Sequence, residues 1–250
     1  MAKAAETPER KKARRSLLGK KIGMTQVYTE GGRWVPVTVL QAGPCTVLQV
    51  KSPERDGYAA VQVGFDQTRK PRRKPQQAYL EKIGASPQRF VKEIPFVEPG
   101  ALIDGGEKGA GGEGEEAAAG GEGAGGKDGG VAPGARVGVS VFKDVKWVDV
   151  RGVTKGRGFA GVIRRYGFNS GPKSHGTKNI REPGSTGMHT DPGRVHRGKK
   201  MPGHLGAVKR KARNLAVMRI EEAENLLLVK GSVPGPNGGY VYIEESLRKK

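Results

Sequence analysis

The 250-residue sequence contains one cysteine, few aromatic residues and no long apolar run. A single cysteine, Cys45, excludes an internal disulfide framework, and its apolar surroundings predict a buried structural thiol rather than a reactive one. No apolar run approaches the roughly 18–20 residues needed to cross a bilayer, and the N-terminus lacks the apolar core of a secretory signal. We therefore expect a cytoplasmic protein without a membrane partner.

Signatures of catalysis and of metal binding are also missing. The sequence has no G-x-S-x-G elbow, no Walker A motif and no cysteine placed as a nucleophile. Zinc ligands usually form pairs with two to five residues between them, whereas the four histidines here are spaced by 14, 7 and 8 positions: His175, His189, His196 and His204. Glu221, Glu222 and Glu224 fall in a predicted hairpin turn, where solvated side chains are the default. The sequence thus predicts no enzyme, no metal, no cofactor and no small-molecule substrate.

The positive charge is concentrated in two segments. The formal net charge is +20 and the isoelectric point about 10.2. Residues 1–21 carry eight Lys/Arg against two acids, and residues 151–219 carry seventeen against two, while the remainder is close to neutral. This distribution predicts a nearly neutral framework with basic arms, for which nucleic acid is the first partner to consider.

Residues 151–213, hereafter the basic extension, dominate this pattern. Gly and Pro interrupt the segment throughout, and Glu182 and Asp191 are its only acids. Its apolar residues are too scattered to form a buried face, yet it is far longer than the roughly 12–15 residues of an ordinary loop. Such a segment is ordered by a polyanion if it is ordered at all. We interpret it as a probe for folded RNA.

Two features of the basic extension have competing interpretations. The run from Gly156 to Gly161 matches G-x-G-x-x-G, but a dinucleotide site also needs a sizeable helix and a second parallel strand, which the following sequence does not supply. The glycines are better explained as letting the backbone approach RNA closely. Phe159, Tyr166 and Phe168 are either stacking platforms for bases or packing residues at the base of the extension. The histidines either contact RNA or are ordinary polar loop residues.

Short strand-like runs separated by turn signals make up most of the remaining sequence. They predict a closed or nearly closed β-barrel with the basic extension inserted between two of its strands. A Gly/Glu/Ala tract at 100–134 has the composition of a flexible insertion and is expected to face solvent. The predicted elements are hairpins at 25–40, 47–63 and 215–230, a helix at 76–83, strands at 135–141 and 145–150, and a turn at 234–239 leading into a strand at 240–243.

Five motifs follow one another along the chain: LLGKKIGMTQVY (17–28), DVRGVTKGRGFAG (149–161), PGSTG (183–187), GKKMPGHLG (198–206) and NLLLVKGSVPG (225–235). Together they resemble the bacterial form of the ribosomal protein L-three family of the large subunit. The resemblance runs from about residue 17 onward. The tail at 1–15 and the tract near 100–134 depart from the family pattern. Thr190 stands where some relatives carry a methylated glutamine, so no such methylation is expected.

The resemblance implies a mainly β fold: a six-stranded translation-protein-type β-barrel with a long, largely irregular basic extension and a low-complexity insertion. The expected organisation is a basic tail (1–16), the first part of the barrel with a small helical and basic insertion (17–99), the Gly/Glu-rich insertion (100–134), barrel strands (135–150), the rRNA-penetrating extension (151–213), and C-terminal barrel strands with a tail (214–250).

The same resemblance implies a structural constituent of the large ribosomal subunit that binds 23S-type rRNA, supports early assembly and extends toward the peptidyl-transferase centre. It further implies neighbours from the ribosomal protein L-fourteen and L-nineteen families. The alternative is an RNA-binding or chaperone protein that acts outside the ribosome. The candidate rRNA-binding residues are Lys20, Lys21, Lys155, Arg157, Arg164, Arg165, Lys173, His175, Lys178, Arg181, His189, Arg194, Arg197, Lys199, Lys200, His204, Lys209, Arg210, Lys211 and Arg213.

Overall fold

The computed structural model describes residues 14–68, 73–95 and 132–248. The chain divides into two compact units: the first unit contains the residues up to Gly152 and from Lys211 onward, and the second unit is Val153–Arg210. Most of the predicted tail, most of the Gly/Glu-rich insertion and residues 69–72 lie outside the described residues. No helix in the described ranges is long and apolar enough to cross a membrane.

The described elements are mainly strands, which confirms that the fold is mainly β. The strands are β1 (Ser16–Tyr28), β2 (Trp34–Ala42), β3 (Cys45–Lys51), β4 (Ala60–Gln67), β5 (Gln88–Pro95), β6 (Arg136–Val137), β7 (Trp147–Val153), β8 (Phe159–Ala160), β9 (Gly203–His204), β10 (Lys209–Glu221), β11 (Leu226–Lys230) and β12 (Tyr240–Glu245). The helices are α1 (Pro53–Asp56), α2 (Lys74–Ile83) and α3 (Val162–Tyr166).

Six strands of the first unit close into a ring in the order β1-β12-β7-β10-β11-β2. Strand β1 pairs antiparallel with β12 on one side and β2 on the other, and its register shifts between Lys21 and Gly23. A register shift of this kind is a β-bulge, which bends the long strand and helps the sheet to close. Two residues before it, Gly19 lies so close to β2 that a Cβ there would collide with the carbonyl oxygen of Gln41.

A second sheet, in the order β5-β4-β3-β6, completes the first unit. Of the segment 17–99, only β1 and β2 enter the ring, whereas β3, β4 and β5 form most of the second sheet. Both sheets contribute to one hydrophobic core, in which Leu40 and Ile243 of the ring and Val61 and Ile94 of the second sheet are buried. An alternating apolar pattern identifies a strand without saying which sheet it joins, because either sheet buries one strand face.

The predicted hairpins are present. β1 and β2 form one, with Tyr28 opposite Trp34, and β10 and β11 form another. β3 and β4 also pair antiparallel, but the helical turn α1 connects them and ends at Gly57, whose φ of 78° is left-handed. The predicted helix at 76–83 begins two residues earlier, at Lys74.

The predicted strand at 135–141 is wrong for most of its length. Only β6 is extended, and Val139–Phe142 forms a single 3₁₀ turn. The alternating valines are nevertheless buried, as the pattern requires. The backbone N–H of Val139 donates to the side-chain oxygen of Asn225 at 3.2 Å, so a side chain takes the place of a neighbouring strand.

Cys45 is fully buried, as predicted. Burial raises the pKa of its thiol to about 12. The thiol donates to the carbonyl oxygen of Leu18 at 3.4 Å. Because the thiolate is the nucleophilic form, this cysteine is unreactive at neutral pH.

Three adjacent strands of the ring share a cluster of charges around two buried carboxylates, Asp149 and Glu244. Glu244 on β12 accepts hydrogen bonds from Arg151 at 3.0–3.2 Å and pairs with Lys211 on β10. Asp149 on β7 pairs with the same Lys211 ammonium at 2.8 Å and accepts from the backbone N–H of Asn214 at 2.7 Å. Burial alone would raise the pKa of Asp149, but these hydrogen bonds and the lysine charge hold it below its ordinary value. The cluster therefore joins β12, β7 and β10 through side chains as well as through the backbone.

We predict that Glu244→Gln destabilises the protein by about 3 kcal/mol, the scale expected when a buried ion pair loses one partner. Glutamine has nearly the same size but leaves Lys211 and Arg151 without their shared negative charge. The free energy of unfolding, measured by urea denaturation, tests this. Glu222→Gln is the matched control, because Glu222 pairs with Lys143 at 3.3 Å on the surface and exposed pairs contribute little. Equal, small effects of both variants would contradict a stabilising role for the cluster.

Candidate nucleic-acid interface

The second unit is strongly cationic and buries little. Residues 153–210 contain thirteen Lys/Arg and two acids, together with twelve Gly and four Pro. Only Ala160 and Val162 are buried among them. Because two small side chains cannot form a substantial core, apolar burial contributes little to the conformation of this unit.

Backbone pairing between its two ends organises the second unit. Thr154 donates to the carbonyl of Val208 at 3.0 Å, and Arg157 donates to the carbonyl of Leu205 at 2.8 Å. Strands β8 and β9 then continue the antiparallel ladder, with Phe159 opposite His204. The outgoing segment (154–160) and the returning segment (203–208) therefore run side by side.

Gly206 is required in this ladder. Its φ of +79° is left-handed, and a Cβ would collide with the carbonyl oxygen of Lys155 on the opposite chain. Only glycine satisfies both conditions. The glycine-rich motif around this position thus serves close backbone packing within the protein itself.

A cluster of rings and cations follows the ladder. The rings of Tyr166 and Phe168 lie 6.2 Å apart, and the Nζ of Lys200 lies 5.8 Å and 6.0 Å from their centroids. The guanidinium of Arg165 lies 5.0 Å from the Tyr166 ring and donates to the carbonyl of Met201 at 2.6 Å. Cation–π contacts of this length stabilise the pairing of the outgoing and returning segments of the chain.

The remainder of the second unit consists of turns with short hydrogen bonds. Gly171 donates to the carbonyl of Ile180 at 3.0 Å, and Ser185 Oγ donates to the carbonyl of Gly187 at 2.8 Å. His189 Nδ1 lies 2.9 Å from the hydroxyl of Thr190. Nearly every side chain from 172 to 200 is exposed.

Most of the predicted rRNA-binding side chains are exposed, as a phosphate contact requires, and Lys20, Arg165 and Lys211 are half-buried. The exposed ones are Lys155, Arg157, Arg164, Lys173, His175, Lys178, Arg181, His189, Arg194, Arg197, Lys199, Lys200, His204, Lys209, Arg210 and Arg213.

Two of the predicted contacts, Lys21 and Lys211, bind groups of the protein itself. Lys21 is buried, and its ammonium donates to the carbonyl of Val233 at 2.9 Å. Lys211 lies between Asp149 and Glu244. Its basic neighbours made Lys211 look available to phosphate, because the carboxylates that bind it are distant in sequence. Contact of these two residues with rRNA stays a prediction, and in both cases the protein partners compete with phosphate for the ammonium group.

His196, considered with the other histidines but not included among the candidate contacts, is also exposed among these cations. Its position between Arg194 and Arg197 could have identified it from the sequence as a candidate RNA contact. The four histidines do not assemble a metal site: among the described residues, no group of three or more His, Cys, Asp and Glu side chains is placed to hold an ion.

The G-x-G-x-x-G run does not have the surroundings of a dinucleotide site. Gly161 is the N-cap of α3, which is only five residues long. Strand β8 pairs antiparallel with β9, whereas a dinucleotide fold needs a longer crossover helix between parallel strands. The structure therefore supports the sequence-based rejection of this site.

Comparison with known proteins provides an independent line of observation. The family model described as ribosomal protein L3 matches residues 136–225, which include the whole second unit. A curated relative from Syntrophobacter fumaroxidans, named large ribosomal subunit protein uL3, is 43% identical over 238 residues, covering 94% of this chain and 99% of the relative. Identity at this level over nearly the full length of both proteins shows that the chain belongs to the ribosomal protein L3 family of the large ribosomal subunit.

Proposed function

We propose that this chain binds large-subunit rRNA directly and that the basic extension is its principal contact. One observation carries the proposal: the second unit exposes nearly all of its thirteen Lys/Arg side chains and has only two acids. The family is one of structural ribosomal proteins, so no catalytic step is involved.

The physical basis of this binding is the release of counterions. Each cation that neutralises a phosphate frees an ion condensed on the RNA, and the entropy gained favours association. Glycine and proline provide turns without bulky side chains, which suits a chain that passes between RNA helices. A protein partner would have to present an equally concentrated negative surface, and a continuous polyanion meets that requirement most simply.

The finer features of the proposal come from the family resemblance. The six-stranded ring is a barrel of the translation-protein type. Residues 151–213 penetrate the rRNA toward the peptidyl-transferase centre. The domain boundaries are those that the resemblance implies: 1–16, 17–99, 100–134, 135–150, 151–213 and 214–250. The chain takes part in early subunit assembly beside members of the ribosomal protein L-fourteen and L-nineteen families. The name of the relative from Syntrophobacter fumaroxidans, large ribosomal subunit protein uL3, supports a role in the large ribosomal subunit.

We predict that the tagged chain, expressed in bacterial cells, co-sediments with large ribosomal subunits on sucrose gradients at moderate salt. Many phosphate contacts made together keep the protein bound even though each is weakened by salt. Quantitative immunoblotting of the gradient fractions tests this. Migration as free protein would contradict the proposal and favour the alternative of an RNA-binding or chaperone protein outside the ribosome.

Deletion of residues 164–206 should leave the first unit folded and abolish incorporation into large subunits. The hydrophobic core lies in the first unit, while the deleted segment contains no buried apolar residue. Circular dichroism and urea unfolding of the purified variant measure folding, and gradient sedimentation measures incorporation. A variant that no longer unfolds cooperatively would show that the first unit depends on the extension.

Lys199→Ala should reduce the slope of log K against log salt for rRNA binding by about one, because one phosphate contact releases about one counterion. Lys199 is exposed, and its neighbour Lys200 is the one that lies over the two rings. The measurement is filter binding to a large-subunit rRNA transcript across a salt series. Lys82→Ala, on exposed helix α2, is the control and should leave the slope unchanged. A slope unaffected by Lys199→Ala would remove this residue from the phosphate contacts.

A further inference from the structure

The ring of Phe159 is the most exposed large apolar side chain in the described residues, with 78% of its surface accessible. Its neighbour Ala160 points to the other face of the ladder and is buried. Successive side chains of a strand point to opposite faces, so the register of β8 alone forces Phe159 outward. Folding gains little burial from this phenylalanine, and its exposed face is available to a partner.

Hydrogen bonds to the returning segment fix the backbone around Phe159. Arg157 donates to the carbonyl of Leu205, and Leu205 donates to the carbonyl of Gly158 at 2.9 Å. His204 is the residue directly opposite Phe159, and it is also exposed. Directly opposed residues of an antiparallel pair share one face. Phe159 and His204 therefore form two adjacent aromatic side chains on a fixed backbone.

The other two aromatic residues of the second unit are already engaged. Tyr166 and Phe168 contact each other, and Lys200 lies within 6.0 Å of both ring centroids. No ring contact or cation–π contact of Phe159 is among those found in the described residues. The structure thus distinguishes these aromatics: Tyr166 and Phe168 contact each other and nearby cations, and Phe159 has no such contact among the described residues.

Charge indicates what kind of partner fits this exposed ring. Lys155 and Arg157 precede Phe159, are exposed and have no acidic residue between them and Arg181. An apolar surface meant for a protein side chain is usually depleted of charge at its centre. A ring flanked by cations instead matches a nucleotide, which combines an aromatic base with a phosphate.

We propose that Phe159, with His204 beside it, is a stacking platform for one unpaired base of RNA, and that Lys155 and Arg157 neutralise the adjoining phosphates. The proposal rests on the proposed function, since it identifies one contact through which the second unit binds RNA. It adds a contact to the base itself, which does not depend on salt as phosphate contacts do.

The test compares Phe159→Leu and Phe159→Tyr with the unchanged full-length protein. Leucine keeps an apolar side chain of similar size but removes the aromatic face, whereas tyrosine keeps the ring. Dissociation constants for a large-subunit rRNA transcript are measured across a salt series. We expect Phe159→Leu to weaken binding about tenfold at every salt concentration, with the salt slope unchanged, and Phe159→Tyr to bind within about twofold of the unchanged protein. Because the ring is exposed, circular dichroism of both variants should match that of the unchanged protein.

Tyr28→Leu serves as the matched control. It removes a ring that is 62% exposed in the first unit and should leave the affinity unchanged. Ultraviolet cross-linking of the protein–transcript complex, followed by trypsin digestion, gives a second measurement. The peptide Gly158–Arg164 contains Phe159 as its only aromatic residue, and we expect a nucleotide cross-linked to it.

The outcomes separate this inference from the proposed function. If the unchanged protein binds the transcript but Phe159→Leu binds equally well, the stacking platform is refuted while rRNA binding stands. That result, without a cross-link at Phe159, would favour an apolar protein side chain as the occupant. A loss of affinity accompanied by a reduced salt slope would also refute stacking, because it would indicate displaced phosphate contacts. Failure of the unchanged protein to bind would refute both proposals.

Discussion

The ring places the two ends of the basic extension on neighbouring strands. The chain leaves the ring at β7 and returns at β10, which are adjacent in the sheet. Lys211 at the return end binds Asp149 on β7 and Glu244 on β12. The entropic cost of closing a loop rises only slowly with the length of the loop. A six-stranded ring that fixes both ends of the basic extension can therefore accommodate a long insertion. Everything proposed for the extension depends on this anchorage.

Lysines of one basic sequence serve different purposes because their neighbours differ. Lys199 is exposed, Lys200 lies over the rings of Tyr166 and Phe168, and Lys211 neutralises two buried carboxylates. A lysine held by a buried carboxylate cannot also neutralise a phosphate without leaving that carboxylate unpaired, which is costly. Net charge therefore overestimates the number of RNA contacts, and the three-dimensional surroundings correct it.

Much of the fold was predictable from local patterns. The hairpin at β1 and β2 follows from apolar runs on either side of a Gly-Gly turn, and the strand after Pro234 follows from a Pro/Gly cluster. The segment Val139–Phe142 was not predictable, because its valines alternate like a strand while Asn225, distant in sequence, satisfies the amide of Val139. Membership of β3, β4 and β5 in a second sheet was likewise a matter of long-range pairing.

The sequence by itself determined the chemical character of this protein. Cations, glycines and scarce apolar residues at 151–213 specify a strongly cationic segment without a core of its own, because charge and the lack of a core are properties of composition. Tertiary structure decided which side chains are available for that role. It exposed Phe159 and His204 on one face of a ladder, engaged Tyr166 and Phe168 with Lys200, and buried Lys21. Those outcomes depend on contacts between residues far apart in the chain, which no local pattern encodes.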